Sequence, residues 1–267
     1  MPTATVNDAA LAYLDSAPGA DTDKVLLLLH GHAFDKSMWA GQVEHFGALG
    51  WRVIAPDLRG FGKSEVTPGI VYTEEFAADA IGLLDALKVP AAVVLGYSMG
   101  GQVAMEIQHS YPERVRALAI VDTVPQAEDA AGRRRRNTVA DRLVTEGMQA
   151  YASDVLGVMI AAHNVQAKPG VAAKVLEMIR RSPAAGSAAA MRGRAARRDF
   201  TETLRAVTVP ALVIAGADDA FDDGAGARMH ELMPHSTFVR IDGAGHTPNM
   251  EQPQAFNAAL EEFLAGL

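Results

Sequence analysis

The sequence predicts an α/β protein in which helices flank a mostly parallel sheet. Its 267 residues, 49% of them apolar, are enough to bury a sizeable core within one domain. Short apolar runs such as 25–29 and 91–95 lack the alternation of a half-buried strand, as expected for strands covered on both faces. Stretches with helical spacing separate these runs, so the chain predicts βαβ crossovers and a doubly wound sheet.

The predicted elements follow in chain order. Strands are expected at 4–6, 11–14, 25–29, 53–55, 91–95, 118–121, 211–215 and 237–241. Helices are expected at 37–48, 73–87, 99–109 and 254–267. Thr73 is the expected N-cap of the second helix, because Glu74 and Glu75 follow it in the first turn, where the helix dipole favours negative charge.

Residues 125–205 break the alternation of strands and helices. This segment has no buried-strand run, is rich in Ala and Arg, and shows helical spacing over 137–160 and 171–181. We therefore expect an α/β core formed by residues 1–124 and 206–267, with 125–205 as a helical insertion.

Composition excludes several classes of protein. The chain has no cysteine, which excludes disulfides, a thiolate nucleophile and cysteine-ligated metals. No run approaches the ~20 apolar residues of a membrane span, and no charged leader precedes the first apolar run, so a cytoplasmic protein is expected. The net charge of −8, from 24 basic and 32 acidic residues, argues against a nucleic-acid surface.

The motif at 96–100 is the strongest chemical signal. Its order is Gly, Tyr, Ser, Met, Gly, directly after a predicted buried strand and before a predicted helix. A serine on such a strand-to-helix turn is a nucleophile elbow, in which Gly96 and Gly100 are needed because strand and helix approach too closely for a Cβ. Ser98 is therefore the candidate nucleophile.

A serine hydroxyl needs a base, and the base needs an acid that orients it. His246 is the best of eight histidines, because it lies in a Gly-rich loop after the last predicted strand, where ligands gather in open α/β sheets. The acid stays open on the residues alone. Asp218 and Asp219 follow one predicted strand, and Asp122 follows another.

The oxyanion of an ester reaction needs two backbone N–H donors. Met99, directly after the candidate nucleophile, is expected to supply one, and His32 in the loop 30–33 the other. The His30 and His32 side chains are expected to support this loop. We expect no metal there, because an i,i+2 histidine pair on an irregular loop is not a typical ligand spacing.

With these residues placed, the chain resembles the α/β-hydrolase superfamily over nearly its whole length. Besides the elbow, the resemblance is carried by the motifs at 29–31, 56–64 and 243–248. It implies that the acid lies three residues after the glycine that ends its strand, which selects Asp219 after Gly216. It also implies that 125–205 is the lid domain, and that Asp57 and Arg59 are structural.

Within the superfamily, two segments look like those of β-ketoadipate enol-lactonases and small carboxylesterases. They are 98–101 and the end of the lid, from 191–193 to 209–210. Haloalkane dehalogenases and epoxide hydrolases are disfavoured, since they carry aspartate where this chain has Ser98. Cofactor-free haloperoxidases, which act as perhydrolases, share the elbow. Their loop commonly has a proline where this chain has Ala33.

The resemblance implies a serine hydrolase that cleaves a small carboxylic ester or lactone through a Ser-His-Asp triad and an acyl-enzyme. The alternatives are a perhydrolase with the same triad and a ligand-binding protein of the same fold that does not turn over. No cofactor is expected, because neither a G-x-G-x-x-G nor a P-loop pattern occurs. Association into homo-oligomers is left open.

Charge is unevenly distributed between the insertion and the core. Residues 125–205 hold 12 arginines and two lysines against eight acidic residues, a net charge of +6, whereas the remainder carries −14. A basic lid could attract an anionic substrate. The favoured interpretation is that the runs 133–136 and 192–198 are solvated lid faces paired with carboxylates of the core. Residues expected to line the substrate pocket are Phe34, Trp39, Met159 and Met178.

Overall fold

A computed structural model describes residues 2–267 and places eight strands in one sheet. The strands are β1 Thr3–Val6, β2 Ala9–Asp15, β3 Val25–Leu29, β4 Arg52–Pro56, β5 Ala92–Tyr97, β6 Val115–Val121, β7 Ala211–Gly216 and β8 Ser236–Ile241. Their spatial order is β1-β2-β4-β3-β5-β6-β7-β8. Only β2 pairs antiparallel with its neighbours, β1 and β4, so the predicted mostly parallel α/β sheet is confirmed.

Helices cover both faces of the sheet. They are α1 Ala40–Ala48, α2 Thr73–Ala86, α3 Met99–Ser110, α4 Ala130–Glu146, α5 Met148–Met159, α6 Ala162–Ala167, α7 Pro169–Arg181, α8 Ala184–Ala196, α9 Thr201–Arg205, α10 Ala225–Leu232, α11 Pro248–Glu251 and α12 Pro253–Ala265. Within residues 2–267, none of these combines the length and the apolar character needed to cross a bilayer.

The central strands carry apolar side chains on both faces, which explains their uninterrupted apolar runs. Along β3, Leu27 and Leu29 belong to the apolar cluster beneath α2 and α3, whereas Leu26 and Leu28 belong to the cluster that contains parts of α1 and α12. Every residue of β3 is buried. Burial on both faces is the condition under which a strand loses its polar alternation.

Two predicted helix boundaries need correction. The helix expected from residue 37 begins as a 3₁₀ turn, Lys36–Trp39, and becomes α-helical at Ala40. The N-cap of α2 is Tyr72 rather than Thr73. The Tyr72 backbone N–H donates to Glu75 Oε2 at 2.8 Å, so the acidic first turn stabilises the helix one residue earlier than expected.

The insertion between β6 and β7 is helical, as expected, but the uninterrupted helix predicted over 137–160 is wrong. Gly147 has φ +81°, a left-handed conformation that ends α4 and separates it from α5. The helix predicted over 171–181 is confirmed and starts slightly earlier, with Pro169 in its first turn.

The helical insertion is docked on the core through glycine contacts along α8. A Cβ at Gly186 would overlap the backbone carbonyl of Gly60, and one at Gly193 would overlap that of Val71. The Val71 N–H also donates to the Ala189 carbonyl at 3.2 Å. These contacts hold α8 against the α/β core next to the carboxyl ends of the strands.

Gly100→Ala is predicted to destabilise the fold by ~2–3 kcal/mol, because the added Cβ would overlap the Leu29 and His30 carbonyls. Gly157→Ala is the matched control, since that glycine lies in α5 with open space around it, and we expect it to stabilise by up to about 1 kcal/mol. Urea unfolding of both variants checks this. Equal stability of the two variants would contradict the proposed steric constraint.

Candidate active site

Ser98 lies at the turn between β5 and α3, with a left-handed backbone, φ +51°. Its N–H donates to the Val121 carbonyl at 2.8 Å, which ties the turn to the neighbouring strand β6. A Cβ at Gly96 would overlap the carbonyl of Gly100, so strand and helix are in backbone contact across the turn. This strained turn directs the serine hydroxyl out of the sheet and into a cavity.

The structure brings the predicted base and acid to this serine. His246 Nε2 lies 3.1 Å from Ser98 Oγ, and His246 Nδ1 lies 2.8 Å from Asp219 Oδ2. His246 and Asp219 are both buried. A proton on Nδ1 satisfies the carboxylate and leaves Nε2 free to accept the serine proton.

Asp219 stays charged although it is buried. Burial alone would raise its pKa, but the hydrogen bond and the charge interaction with His246 and the Phe221 N–H hold the pKa below the ordinary value. The Phe221 N–H donates to Asp219 Oδ1 at 2.9 Å. The rival Asp218 is exposed on the loop, and the His246 Nδ1–H donates to Asp219 instead.

Asp122, the other predicted alternative for the acid, lies next to Asp219 and not against the imidazole nitrogen. Its Oδ1 accepts the Gly216 N–H at 2.9 Å, and its Oδ2 is buried without a hydrogen-bond partner among residues 2–267. Burial, and then the negative charge of Asp219, raise the pKa of Asp122 well above the ordinary value. Asp122 therefore holds its proton more tightly than an ordinary aspartic acid, whereas the pKa of Asp219 beside it is lowered.

The side chains of Asp122, Asp219 and His246 lie close enough together to be considered as metal ligands. One potential ligand atom from each lies within 4.8 Å of the other two. The hydrogen bonds of Asp219 to His246 and of Asp122 to Gly216 already engage these side chains. The cluster therefore has a role without a metal, which is to orient the imidazole of His246.

Two backbone N–H groups, one next to the nucleophile in the chain and one in the neighbouring loop, are free of protein partners within the described part of the chain. Neither the His32 N–H nor the Met99 N–H has a hydrogen-bond partner among residues 2–267. Ala33 has φ +63°, and a Cβ at Gly31 would collide with the ring of Tyr97, so this loop adopts its course only with a small residue at 31. Free donors at a helix N-terminus and a strained loop suit a developing oxyanion.

The side chains of His30 and His32 hold this loop in place. His30 Nε2 accepts the Leu58 N–H at 2.9 Å, and its Nδ1–H donates to the Gly31 carbonyl at 2.8 Å. His32 Nε2–H donates to the Ser187 carbonyl at 3.0 Å, which connects the loop to α8. Burial, and then the charge of Arg194, lower the pKa of His32 to about 3, so the ring is neutral.

Glu251 is a site residue that the sequence interpretation missed. It is buried at 1% exposure, and its oxygens accept the Gly245 and Thr247 N–H groups beside His246 at 3.0 and 3.1 Å. They also accept the Ala161 N–H at 2.9 Å from the insertion. One carboxylate thus joins the histidine loop to the helices above it. The available signal was an acidic residue in the first turn after Pro248.

A cavity of about 790 Å³ opens above Ser98, between the core and the insertion. Phe34 and Met159 line it, as expected. Trp39 and Met178 do not, and the prediction that they line the pocket is wrong. Trp39 is fully buried and packs 6.2 Å from the ring of Phe256, while Met178 is buried in the same apolar cluster.

Arginines of the insertion also face this cavity. Glu128 pairs with three of them, Arg136 at 2.5 Å, Arg197 at 2.9 Å and Arg135 at 3.7 Å. Burial would raise the pKa of Glu128, but Arg136 and Arg197 hold it at about 2.

Several other arginines of the insertion pair with surface carboxylates. Arg142 contacts Glu146 and Arg192 contacts Asp141. Of the basic runs 133–136 and 192–198, Arg198 pairs with the core carboxylates Glu74 and Glu106, as expected. Arg192 and Arg197 pair instead with carboxylates of the insertion, so the expectation of core partners is wrong for them.

A sequence profile of the α/β hydrolase fold family matches residues 24–253. The chain belongs to the α/β hydrolase family. This hydrolase is 30% identical to 3-oxoadipate enol-lactonase 2 of Acinetobacter baylyi, over 97% of this chain and 94% of that protein. It is 27% identical to a non-heme chloroperoxidase of Streptomyces lividans, over 99% of both chains.

Among solved structures, the hydrolase is similar to a thermophilic esterase from Thermogutta terrifontis with malate bound. The two superpose with a TM-score of 0.93 and 34% identity, over 99% of this chain and 98% of the esterase. The expected α/β-hydrolase fold is thereby confirmed.

Glu251→Gln is predicted to lower the free energy of unfolding by ~2–4 kcal/mol, because an amide nitrogen cannot accept the N–H groups that the carboxylate accepts. Thermal and urea unfolding measure the loss. Glu262→Gln is the control, since Glu262 is exposed on α12. Equal stability of the two variants would contradict the role of Glu251 as a buried connector.

Asp122→Asn is predicted to become more stable relative to the wild type as pH rises. The raised pKa means that the folded state holds this proton more tightly than the unfolded chain, so the wild type loses stability above the ordinary aspartate pKa, about 4, toward the raised value. Asparagine has no such proton to lose. Urea unfolding at several pH values between about 4 and 8 tests this. A difference that stays constant with pH would show that Asp122 is already ionised.

Proposed function

We propose that this protein is a serine hydrolase that cleaves a small carboxylic ester or lactone through an acyl-enzyme on Ser98. The observation that carries the proposal is the chain of contacts from Ser98 Oγ to His246 Nε2, 3.1 Å, and from His246 Nδ1 to Asp219 Oδ2, 2.8 Å. The unpaired His32 and Met99 N–H groups complete the arrangement. The similarity to an esterase and an enol-lactonase supports it.

In the first half of the proposed reaction, Ser98 Oγ attacks the substrate carbonyl carbon while His246 Nε2 accepts the serine proton. The carbonyl oxygen becomes an oxyanion that accepts hydrogen bonds from the His32 and Met99 N–H groups. His246 then donates its proton to the leaving alkoxide, the carbon–oxygen bond breaks, and Ser98 carries the acyl group.

In the second half, a water molecule gives its proton to His246 Nε2 and attacks the acyl carbon. The proton returns to Ser98 Oγ as the acid product leaves. Asp219 remains ionised throughout and holds the Nδ1–H, so the imidazolium that forms transiently has a carboxylate partner. In a lactone the leaving alkoxide stays attached to the acyl chain, and the chemistry is otherwise the same.

The conformation at Ala33 favours hydrolysis over perhydrolysis. Perhydrolases of this fold commonly carry proline at this position, but a proline ring fixes φ near −65° and Ala33 has φ +63°. The oxyanion loop of this chain therefore follows a path that proline cannot adopt. The similarity to a chloroperoxidase makes peroxide-dependent bromination of a dye the assay for this alternative.

Ser98→Ala is predicted to lower kcat/KM on p-nitrophenyl acetate and butyrate by at least about 10³-fold, because the acyl-enzyme can no longer form. Ser153→Ala, an exposed serine on α5, is the matched control and should keep the wild-type value. Wild-type turnover by Ser98→Ala would refute the proposal. An active site that binds esters without any turnover would instead support a ligand-binding protein.

A further inference from the structure

Arg194 is a buried arginine that faces the cavity and has no carboxylate partner within residues 2–267. Arg194 is 9% exposed and lines the same cavity as Ser98 and His246. Its Nε–H donates to Gln102 Oε1 at 3.0 Å. The two terminal nitrogens of the guanidinium have no hydrogen-bond partner among residues 2–267, and no carboxylate there lies within 4.0 Å of them.

The other charged groups around the cavity are already engaged. Glu128 pairs with Arg136 and Arg197. The aspartates accept hydrogen bonds elsewhere: Asp219 from His246, Asp222 from the Gly224 and Gly226 N–H groups, Asp129 from the Gly132 N–H and Asp122 from the Gly216 N–H. Arg194 therefore differs from Arg136 and Arg197 in lacking any anion.

A buried guanidinium without an anion is costly. Burial, and then the neighbouring charges of Arg136 and Arg197, lower the pKa of Arg194 well below its ordinary value. Arginine nevertheless keeps its proton in proteins. An anion bound in the cavity would offset both the burial and the repulsion between the three arginines.

Arg194 is fixed close to the nucleophile. Gln102 lies one helical turn after Ser98 on α3, and its N–H donates to the Ser98 carbonyl at 3.2 Å. Ser98, Gln102 and Arg194 line one cavity, so Gln102 holds the guanidinium on the wall of the cavity into which Ser98 opens. On the other side, Gly193 is in backbone contact with Val71, which keeps α8 from shifting.

The geometry points to a carboxylate-binding subsite: we propose that the terminal N–H groups of Arg194 bind an ionised carboxyl group on the substrate. This inference rests on the proposed ester or lactone hydrolysis at Ser98. The substrate class is then a monoester of a dicarboxylic acid, or a lactone that carries a free carboxylate. The hydrogen bond from Nε to Gln102 leaves both terminal nitrogens free for a paired, two-point contact, which is the preferred geometry of carboxylate with guanidinium.

The test compares an anionic with a neutral ester of the same chain. Hydrolysis of monoethyl and diethyl adipate, with the corresponding succinate and glutarate pairs to vary the chain length, is followed by chromatography of the acid products. We expect the wild type to have a higher kcat/KM for the monoester in at least one pair. In Arg194→Gln, the ratio of monoester to diester kcat/KM should fall by about 10- to 100-fold, the range expected when a charge-assisted hydrogen-bonded pair is lost.

Arg192→Gln is the matched control. It removes the same charge from the same helix, but the Arg192 side chain is partly exposed and pairs with Asp141 on the surface. We expect it to keep the wild-type ratio. A similar fall in Arg192→Gln and Arg194→Gln would show a long-range effect of lid charge and would overturn the subsite.

A second variant covers the case in which Arg194→Gln does not fold, as judged by circular dichroism. Arg194→Lys keeps a cation but loses the two-point contact, so its ratio should fall at least about threefold. A wild-type ratio in Arg194→Lys would overturn the proposed geometry.

A binding measurement separates this inference from the proposed function. Calorimetric titration of adipate into Ser98→Ala, with and without Arg194→Gln, should show at least about tenfold weaker binding when the arginine is absent. If the wild type hydrolyses diesters through Ser98 but shows no monoester preference and adipate binding is unchanged, the subsite is wrong and the hydrolase proposal stands. If Ser98→Ala keeps full turnover, the hydrolase proposal fails, and the adipate titration still decides whether Arg194 binds carboxylates.

Discussion

The site depends on one steric constraint, the backbone contact between β5 and α3 at Ser98. Because Gly96 has no Cβ, strand and helix meet closely enough to force the left-handed φ of +51° at the serine. Gly100 in turn lets the helix approach the Leu29 and His30 carbonyls. That turn places the hydroxyl at the carboxyl edge of the sheet and the free N–H groups of α3 beside it. The loop after β8 places His246 Nε2 3.1 Å from this hydroxyl.

Buried carboxyl groups with opposite pKa shifts hold the rest of the site. The pKa of Asp219 is lowered because His246 and a backbone N–H stabilise its charge, whereas burial and the charge of Asp219 raise the pKa of Asp122. Glu251 fastens the histidine loop and the insertion with the same carboxylate. Asp219 thus orients the imidazole directly, and Glu251 orients it through the loop that carries His246. On the insertion side of the cavity, Arg194 is a buried cation with no carboxylate partner among residues 2–267.

Local patterns predicted the sheet, the elbow and the chain order of the site, since buried strands and close backbone contacts leave signals in neighbouring residues. Contacts between segments that are distant in the chain leave no such signal in the sequence. Trp39 and Met178 are apolar and lie in segments from which cavity-lining residues were expected. Only the packing of the folded chain shows that they belong to the core. Glu251 could have been suspected from the turn after Pro248, whereas its contact with Ala161 joins segments 90 residues apart. Likewise, arginine counts could not separate paired arginines such as Arg197 from the unpaired Arg194.

We propose that the turn at Ser98 presents a nucleophile that His246 activates. Labelling with a fluorophosphonate, followed by peptide mapping by mass spectrometry, measures this directly, because the reagent reacts only with a serine that a base activates. We expect one label per chain, on Ser98, and a strongly slowed reaction in His246→Ala. A label on another residue, or equally fast labelling of Ser98 without His246, would contradict it.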